Sequence, residues 1–291
     1  MSTYKKPYVI AEIGCNHKGD MEIAKELIKV AKIFCNVDAV KFQKRHNKEL
    51  LTEAQYNAPH PNPVNSYGDT YGEHREFLEF DVNQHQELKD FCEDMGLDYS
   101  TSVWDLTSAK EIAGLQPKFI KIPSACNNNE KMLTWLCEHY DGELHISTGM
   151  TTKDEIEDLV NLFKSHDRAK DLVLYNCTSG YPVPFKDVCL LDINILKEKY
   201  GDAVKHIGFS GHHLGIAVDM AAYTLGANVI ERHYTLDRTW KGTDHAASLE
   251  PAGLRKLSRD LKAVYESLTY KTQDILPIEQ VQRDKLKNQK G

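Results

Sequence analysis

The chain has 291 residues, of which 41% are hydrophobic and 27% are charged, a composition typical of a globular enzyme and unlike that of a disordered protein. Its formal net charge of −7 argues against general binding to nucleic acid or to anionic membrane surfaces. The first residues contain no apolar stretch long enough for a signal peptide, so we expect a cytoplasmic protein that does not associate with membranes.

Short apolar segments alternate with amphipathic segments from residue 8 to about residue 267. The predicted strands are Tyr8–Ile13, Ala39–Gln43, Asp98–Ser102, Phe119–Ile122, Glu143–Ser147, Leu172–Asn176, His206–Ser210 and Asn228–His233. The predicted helices are Asp20–Phe34, Asn83–Met95, Thr107–Ala113, Lys131–His139, Asp154–Lys164, Asp192–Tyr200, Ile216–Leu225 and Pro251–Leu268. Eight βα units indicate an α/β protein of the (β/α)8 TIM-barrel class, rather than an open doubly wound sheet.

Two segments depart from this alternation. Residues 44–80 form a long polar loop after the second strand, and loops of this length in a compact domain are usually lids or binding loops. Residues 269–291 form a polar tail that we expect to be solvated or frayed. The sequence therefore predicts one catalytic barrel over residues 1–268, without a second domain.

The seven cysteines are scattered and include no C-x-x-C pair. An odd number of dispersed cysteines indicates reduced thiols rather than a disulfide framework or a zinc site.

Polar residues stand at the end of every predicted strand, where a barrel of this class carries its active site. Any one of them could be a satisfied core group or a helix cap, but burying a lysine or a carboxylate is costly unless it is paired or binds a ligand. These residues are Glu12, Asn16, His17, Lys41, Gln43, Thr101, Lys121, Ser124, Ser147, Ser179, Ser210, His212, Glu231 and His233.

The residue types indicate a pocket for a small anion. Lys41 and Lys121 are cations directed into one mouth, beside hydroxyl groups suited to phosphate and carboxylate oxygens. Surface exposure of each lysine is the competing interpretation, but the flanking sequences VKFQ and FIKIPS are apolar.

Two histidines, His212 and His233, end the last two strands and could hold a divalent metal such as Mn²⁺. Glu12, Glu231 and Asp244 supply carboxylates that could complete a metal shell, orient an imidazole or act as a general base.

Nine segments carry a resemblance to a known family, in matching order from residue 8 to about residue 260. They are IAEIGCNHKGD, AVKFQ, STSVWD, FIKIPSACNNN, ISTGM, NCTSGYPVP, GFSGHH, ERHYTLD and GTDHAASLEP. Together they resemble the sialic acid synthase (N-acetylneuraminate synthase) family. The resemblance implies a metal-dependent condensation of phosphoenolpyruvate with a sugar aldehyde, which yields a 2-keto-3-deoxy sugar acid and phosphate. It also leads us to expect a homodimer or higher homo-oligomer.

The resemblance implies roles for individual residues. His212 and His233 match the ligands of Mn²⁺ or Mg²⁺. Glu12 matches the carboxylate near the water that attacks the intermediate, and Glu231 and Asp244 match residues on the acceptor and metal side. The positions that match the phosphoenolpyruvate site are Lys41, Thr101, Lys121, Ser124, Ser147, Tyr181 and Ser210.

Two departures from the family leave the acceptor open. Longer members carry a C-terminal antifreeze-like domain with an arginine for the acceptor's N-acyl group, which is expected to be absent here. Ser179, which we also expect to contact phosphoenolpyruvate, stands where some members have an asparagine. We expect Asn16, His17, Gln43 and Asp244 to contact the acceptor, and His74 or Arg75 of the long loop to bind its hydroxyls or a terminal anionic group.

Two other functions remain open at this stage. A barrel aldolase or isomerase acting on a sugar phosphate would use similar lysines and hydroxyls, and only phosphate release would separate the two reactions. A non-catalytic sugar-acid binding protein is the third hypothesis, although it would not need the full set of lysines and histidines.

Overall fold

The computed structural model describes residues 4–287 and contains a closed barrel of eight parallel strands. The strands are β1 (Tyr8–Gly14), β2 (Ala39–Lys44), β3 (Asp98–Val103), β4 (Phe119–Ile122), β5 (Glu143–Ser147), β6 (Leu172–Cys177), β7 (His206–Gly211) and β8 (Val229–His233). Each strand pairs with the next along the chain, and β8 closes against β1. The predicted (β/α)8 fold is confirmed, and no strand end differs from its predicted position by more than one residue.

Twelve α-helices are present within the described residues. They are α1 (Met21–Ile33), α2 (Asn47–Leu50), α3 (Glu53–Tyr56), α4 (Tyr71–Leu78), α5 (Val82–Asp94), α6 (Leu106–Gly114), α7 (Glu130–His139), α8 (Lys153–Ser165), α9 (Asp192–Tyr200), α10 (Ala217–Leu225), α11 (Pro251–Ser267) and α12 (Pro277–Leu286). Between residues 4 and 287, no helix is long and apolar enough to cross a bilayer. All seven cysteines are free, as predicted.

The period of two along each strand separates an inner and an outer core. Outward side chains such as Val40 and Phe42 pack against the helices in the main apolar cluster. Inward side chains form a second cluster at the amino-terminal half of the barrel, made of Ile10, Ala39, Phe119, Val173, Tyr175 and Val229. Because this inner cluster fills one end of the barrel, the inward polar residues collect at the other end.

The parallel register brings these polar residues side by side. Glu12 on β1 pairs with Lys41 on β2 and with His233 on β8. Ser210 on β7 pairs with Glu231 on β8. Side chains that are far apart in sequence therefore meet in one layer across the barrel mouth.

The long loop of residues 44–80 contains α2, α3 and α4 and is therefore an ordered segment. Thr70 begins α4 with a capping box, in which its hydroxyl accepts from the Glu73 amide while the Glu73 carboxylate accepts from the Thr70 amide. Gly72 lies so close to the Tyr56 ring of α3 that a side chain there would clash. The loop thus holds α4 over the barrel in a defined position.

Up to residue 287, the C-terminal tail is exposed to solvent, as predicted, but part of it is helical. Residues 277–286 form α12, a helix that the polar composition did not predict. Its apolar residues Ile278 and Val281 are exposed, so local helix propensity and the proline at the first helical position explain α12 better than packing does.

Candidate functional site

A cavity of about 560 Å³ opens at the carboxyl ends of the strands and receives side chains from all eight of them. Its strand-borne residues include Glu12, Lys41, Gln43, Ser102, Lys121, Ser147, Cys177, Ser210, Glu231 and His233. The position agrees with the rule that active sites of barrels lie at this face.

Two lysines and two glutamates form a buried ion network at the floor of the cavity. The Lys41 ammonium contacts the Glu12 carboxylate and lies 3.9 Å from Oε2 of Glu231. Lys121 Nζ lies 2.8 Å from Oε1 of Glu231. All four side chains are at most 7% exposed, so each charge depends on its partners rather than on water.

The network shifts the proton affinity of its members. Burial lowers the pKa of Lys41 to about 7, although the Glu231 carboxylate opposes the shift. Burial alone would raise the pKa of Glu231, but the Lys121 and Lys41 ammonium groups, with hydrogen bonds from Lys121 and Ser210, lower it below its ordinary value. Lys41 is therefore able to exchange a proton near neutral pH, while Glu231 stays ionised.

Serine hydroxyls line one wall of the cavity. Ser124 Oγ accepts a hydrogen bond of 2.9 Å from the Gly149 amide, and Ser147 and Ser179 line the same wall. A side chain at Gly149 would clash with the hydroxyls of Ser179 and Ser124. The glycine therefore allows these hydroxyls to lie close together, as the binding of one phosphate or carboxylate group requires.

Two imidazoles, His212 and His233, also line the cavity. The rings of His212 and His233 are 5.4 Å apart between centroids, and the Tyr181 ring lies 4.3 Å from that of His212. His212 Nδ1 donates to the Thr178 carbonyl at 3.1 Å, which leaves Nε2 as the electron-pair donor. Burial and the neighbouring His233 lower the pKa of His212 to about 3, and burial also lowers the pKa of His233. Both rings are neutral at physiological pH.

These neutral imidazoles suit a divalent metal. His233 Nδ1 is buried without a hydrogen-bond partner among residues 4–287. A Cβ on Gly14 would stand within 4 Å of three side-chain atoms, namely Oδ2 of Asp244, Oε1 of Glu12 and Cε1 of His233. In the described part of the chain, no group of three His, Cys, Asp or Glu residues forms a complete site. His212 and His233 could therefore contribute at most two protein ligands to a metal, and substrate or water would have to supply the others.

The long loop supplies the upper wall through α4. Arg75 lies with its guanidinium carbon 4.8 Å from the Tyr71 ring centre and 5.7 Å from that of Trp104. Its Nε is buried and has no hydrogen-bond partner within the described chain. His74 also lines the cavity, and its Nδ1 accepts from the Tyr67 amide at 3.1 Å. The placement of both residues at the mouth agrees with the prediction for this loop.

Sequence reasoning missed several residues of the cavity. Arg45 lines it and pairs with Glu79 through Nε at 2.5 Å, and Trp104 packs between the two arginines. Arg45 follows β2 directly and Trp104 follows β3 directly, so extending the strand-end rule by one residue would have identified both. The other missed residues are Cys15, Tyr71, Leu78, Ser102, Pro123, Ala125, Met150, Cys177 and Thr243.

The structure corrects the prediction for Thr101. Its side chain faces the helices, is fully buried, and donates to the Tyr99 hydroxyl at 2.7 Å. Ser102 takes the place in the cavity, where its Oγ lies 2.5 Å from Lys41 Nζ. The alternation of side chains contained this information, because Ser100 and Ser102 must share a face that Thr101 cannot share.

Asn16 and His17 were also predicted at the acceptor site, and the structure places them outside the cavity. The Asn16 amide donates to the Tyr234 carbonyl at 2.8 Å and to Ser248 Oγ at 3.0 Å. The His17 ring stacks on Phe80 with centroids 4.0 Å apart. Both residues follow β1 in a turn that bends away from the mouth, so they hold loops in place. Gln43 and Asp244 do line the cavity.

Comparison with known proteins agrees with this site. A family model described as the NeuB family matches residues 27–273. The human N-acetylneuraminate-9-phosphate synthase is 38% identical over 284 residues, which cover 96% of this chain and 76% of the relative. The N,N'-diacetyllegionaminic acid synthase of Campylobacter jejuni is 34% identical over 91% of this chain and 78% of its own length.

A crystal structure of N-acetylneuraminic acid (sialic acid) synthetase from Leptospira borgpetersenii, in complex with citrate, superposes with a TM-score of 0.80. The match covers 98% of this chain and 93% of the other, at 27% identity. The fold, the motifs and the sequence matches agree over nearly the whole chain, and the resemblance to sialic acid synthases is confirmed. The chain belongs to the NeuB family.

Proposed function

We propose that this protein condenses phosphoenolpyruvate with the aldehyde of a sugar to form a 2-keto-3-deoxy sugar acid of the nonulosonate type. The observation that carries the proposal is the buried network of Lys41, Glu12, Lys121 and Glu231 beside a wall of serine hydroxyls. Family membership supports it, because the relatives named above are synthases of sialic and legionaminic acids.

The proposed reaction balances without a redox partner. The methylene carbon of phosphoenolpyruvate attacks the aldehyde carbon, and the aldehyde oxygen takes up a proton. Water then adds to the carbon that bears the phosphate, and the bond from that carbon to the bridging oxygen breaks. The products are a keto acid and inorganic phosphate, with one water consumed.

Within this reaction the chain's own residues have distinct tasks. The Lys121 ammonium and the hydroxyls of Ser124, Ser147 and Ser179 would hold the phosphate and carboxylate groups. Lys41, with its lowered pKa, is suited to donate or accept the proton that moves in the condensation. Glu12, in contact with Lys41, is suited to orient the attacking water.

Charge balance supports a metal ion at His212 and His233. The two ammonium groups of the floor are already balanced by two carboxylates, so an anionic substrate needs further positive charge. A divalent Mn²⁺ or Mg²⁺ would supply that charge and polarise the aldehyde as a Lewis acid.

His212→Ala or His233→Ala should weaken Mn²⁺ binding at least tenfold, as measured by paramagnetic resonance titration. The hypothesis fails if both variants bind Mn²⁺ as tightly as the unaltered protein.

For the acceptor, we propose a sugar aldehyde with a phosphate at its far end. Arg75 lies in the cavity wall with a buried Nε that lacks a partner among the described residues, and it forms no salt bridge within them. A partly buried guanidinium that pairs with no carboxylate is suited to an anionic ligand group. The name of the human relative, a 9-phosphate synthase, supports the same substrate class.

The function is tested by incubating the protein with phosphoenolpyruvate, Mn²⁺ and a panel of hexoses, N-acylhexosamines and pentoses, each with and without a terminal phosphate. Mass spectrometry should detect the keto acid, and a phosphate assay should show one phosphate per product. Lys121→Met should abolish both signals, whereas Lys110→Met, at an exposed residue, should leave them unchanged.

Binding of phosphoenolpyruvate or a sugar without turnover would favour a sugar-acid binding protein. Conversion of a sugar phosphate without phosphoenolpyruvate would favour an aldolase or isomerase.

The acceptor class has its own test. Arg75→Ala should raise the KM of the phosphorylated acceptor by about 10- to 100-fold, since a charge-assisted hydrogen bond is lost. The KM of phosphoenolpyruvate should change less than about twofold. Arg75→Lys should restore part of the loss. If Arg75→Ala affects phosphorylated and unphosphorylated acceptors equally, Arg75 does not bind the phosphate.

We also propose a homodimer or higher homo-oligomer. Phe185, Leu191 and Leu214 are more than half exposed, and exposed apolar groups of this size are often covered by a partner. Sedimentation velocity should show a species of at least twice the chain mass, and a monomer at micromolar concentration would contradict the proposal.

A further inference from the structure

A column of side chains runs down the barrel interior beneath Lys121. We propose that Tyr175, held in place by His145, is a positioning residue that fixes the Lys121 ammonium beneath the substrate phosphate. The inference deepens the proposed function, because it assumes that Lys121 binds phosphoenolpyruvate.

The first contact in the column is between the ammonium and an aromatic face. Lys121 Nζ lies 3.8 Å from the centre of the Tyr175 ring, and Tyr175 is fully buried. On another side the same nitrogen lies 2.8 Å from Oε1 of Glu231. The electron-rich face of a tyrosine attracts a cation, and the attraction is stronger where water is excluded. The ring face therefore supports the ammonium without adding a second negative charge beside a site for an anion.

The second contact fixes the ring. The Tyr175 hydroxyl lies 2.8 Å from His145 Nδ1, and His145 Nε2 lies 3.3 Å from Oε2 of Glu143. With the proton of a neutral imidazole on Nε2, His145 donates to Glu143 and accepts from the tyrosine hydroxyl. The imidazole also stacks on Phe119, with centroids 4.1 Å apart and planes 16° apart. These contacts restrict the orientation of the His145 imidazole and, through it, of the Tyr175 ring.

A glycine on the neighbouring strand makes room for the ring. A Cβ at Gly208 would stand 2.7 Å from two carbons of the Tyr175 ring, which is closer than atoms can approach without a shift. The absence of a side chain at this position on β7 lets the ring lie across the barrel interior below Lys121. The placement of the Tyr175 ring therefore depends on residues of three strands, β5, β6 and β7. It is a property of the closed barrel rather than of one local segment.

The test uses three variants of the full chain. Tyr175→Leu removes the ring, and Tyr175→Phe keeps the ring but loses the bond to His145. Val173→Ala is the matched control, because Val173 belongs to the same inner cluster and lies on the same strand. Calorimetric titration should show phosphoenolpyruvate binding weakened about tenfold in Tyr175→Leu and less than about threefold in Tyr175→Phe. Val173→Ala should bind it within about twofold of the unaltered protein.

A second measurement needs no substrate. In protein labelled with ¹³C at the lysine ε-carbon, the Lys121 signal should be displaced by the ring current of Tyr175, and Lys121→Arg identifies that signal. The displacement should persist in Tyr175→Phe and Val173→Ala and disappear in Tyr175→Leu. Melting temperatures of all variants separate these effects from a general loss of stability.

Two outcomes would overturn the inference. One is a Lys121 signal that stays displaced in Tyr175→Leu, and the other is a control variant that loses as much phosphoenolpyruvate affinity as Tyr175→Leu does. If the unaltered protein binds no phosphoenolpyruvate at all, the proposed function fails. The resonance measurement then still decides whether Tyr175 positions Lys121.

Discussion

Arg232 connects strand β8 to the segment that follows β7, and these two parts of the chain carry His233 and His212. It lies on β8 between Glu231 and His233, but its side chain faces the helices and is only 1% exposed. NH1 lies 2.5 Å from Oδ2 of Asp219, and NH2 donates to the His213 carbonyl at 2.6 Å. Since His213 follows His212 directly, this bond fastens the segment after β7 to β8.

At this scale we predict that Asp219→Ala destabilises the protein by about 3–5 kcal/mol, because a buried arginine loses the carboxylate that balances its charge. Urea unfolding measures the effect. The control is Glu157→Ala, which removes the partner of Lys199 in a pair that is about half exposed, and this variant should change stability by less than about 1 kcal/mol. Equal losses of stability in both variants would show that the buried Arg232–Asp219 pair contributes no more than an exposed pair.

Among the elements, α4 is the one that connects the long loop to the cavity. It carries His74 and Arg75 on its cavity side, and the Tyr67 and Phe77 rings stack with centroids 4.8 Å apart. The Tyr67 hydroxyl also reaches the Lys241 carbonyl at 2.5 Å, in the segment after β8. The loop is thus fastened across the mouth to the other side of the barrel.

The corresponding prediction concerns Gly72→Ala, whose methyl group would collide with the Tyr56 ring. Either α4 or α3 must shift, so Arg75 should move out of place and the acceptor KM should rise several-fold with phosphoenolpyruvate binding unchanged. Gly114→Ala is the control, because nothing lies within 4 Å of a Cβ there. An unchanged acceptor KM in Gly72→Ala would mean that α4 tolerates the shift and that the loop does not position Arg75.

Across the whole molecule, several buried histidines link stability to pH. Burial lowers the pKa of His17 and His85 to about 3 and that of His145 to about 4, with 6.5 as the ordinary value. Below pH 6.5 these imidazoles bind protons in the unfolded chain but stay neutral in the folded protein. Their contribution to stability is therefore complete above pH 6.5 and is lost as the pH falls toward 4 and then 3.

We therefore predict that the free energy of unfolding falls between pH 6.5 and pH 4. His85 should account for about 1.4 kcal/mol per pH unit in the lower part of this range. His85→Gln, which can keep a bond to the Tyr99 hydroxyl but does not titrate, should show a shallower decline in urea titrations at several pH values. A decline of the same slope in the variant would mean that His85 carries its proton in the folded state.

The sequence predicted much of the candidate site through strand ends and motifs. Lys41, Lys121, Ser210, Glu231 and His233 all reach the cavity because the parallel register of a barrel brings every strand end to one face. The errors have different causes. Thr101 required the correct choice between the two faces of a strand, which the alternation of side chains already indicates. Asn16 and His17 required the direction of a turn, which contacts distant in sequence determine.

The sequence by itself determined the barrel, because eight alternations of apolar strand and amphipathic helix leave few other ways to bury the core. Its motifs also implied the reaction class, through their resemblance to the sialic acid synthase family, whereas the residue types alone left an aldolase or a binding protein open. Only the tertiary structure decided which carboxylate pairs with which lysine, and that Tyr175 lies beneath Lys121. Such contacts join residues as far apart in sequence as Lys121 and Glu231, which are 110 positions apart, and distances across a closed barrel arise only when all eight strands have paired.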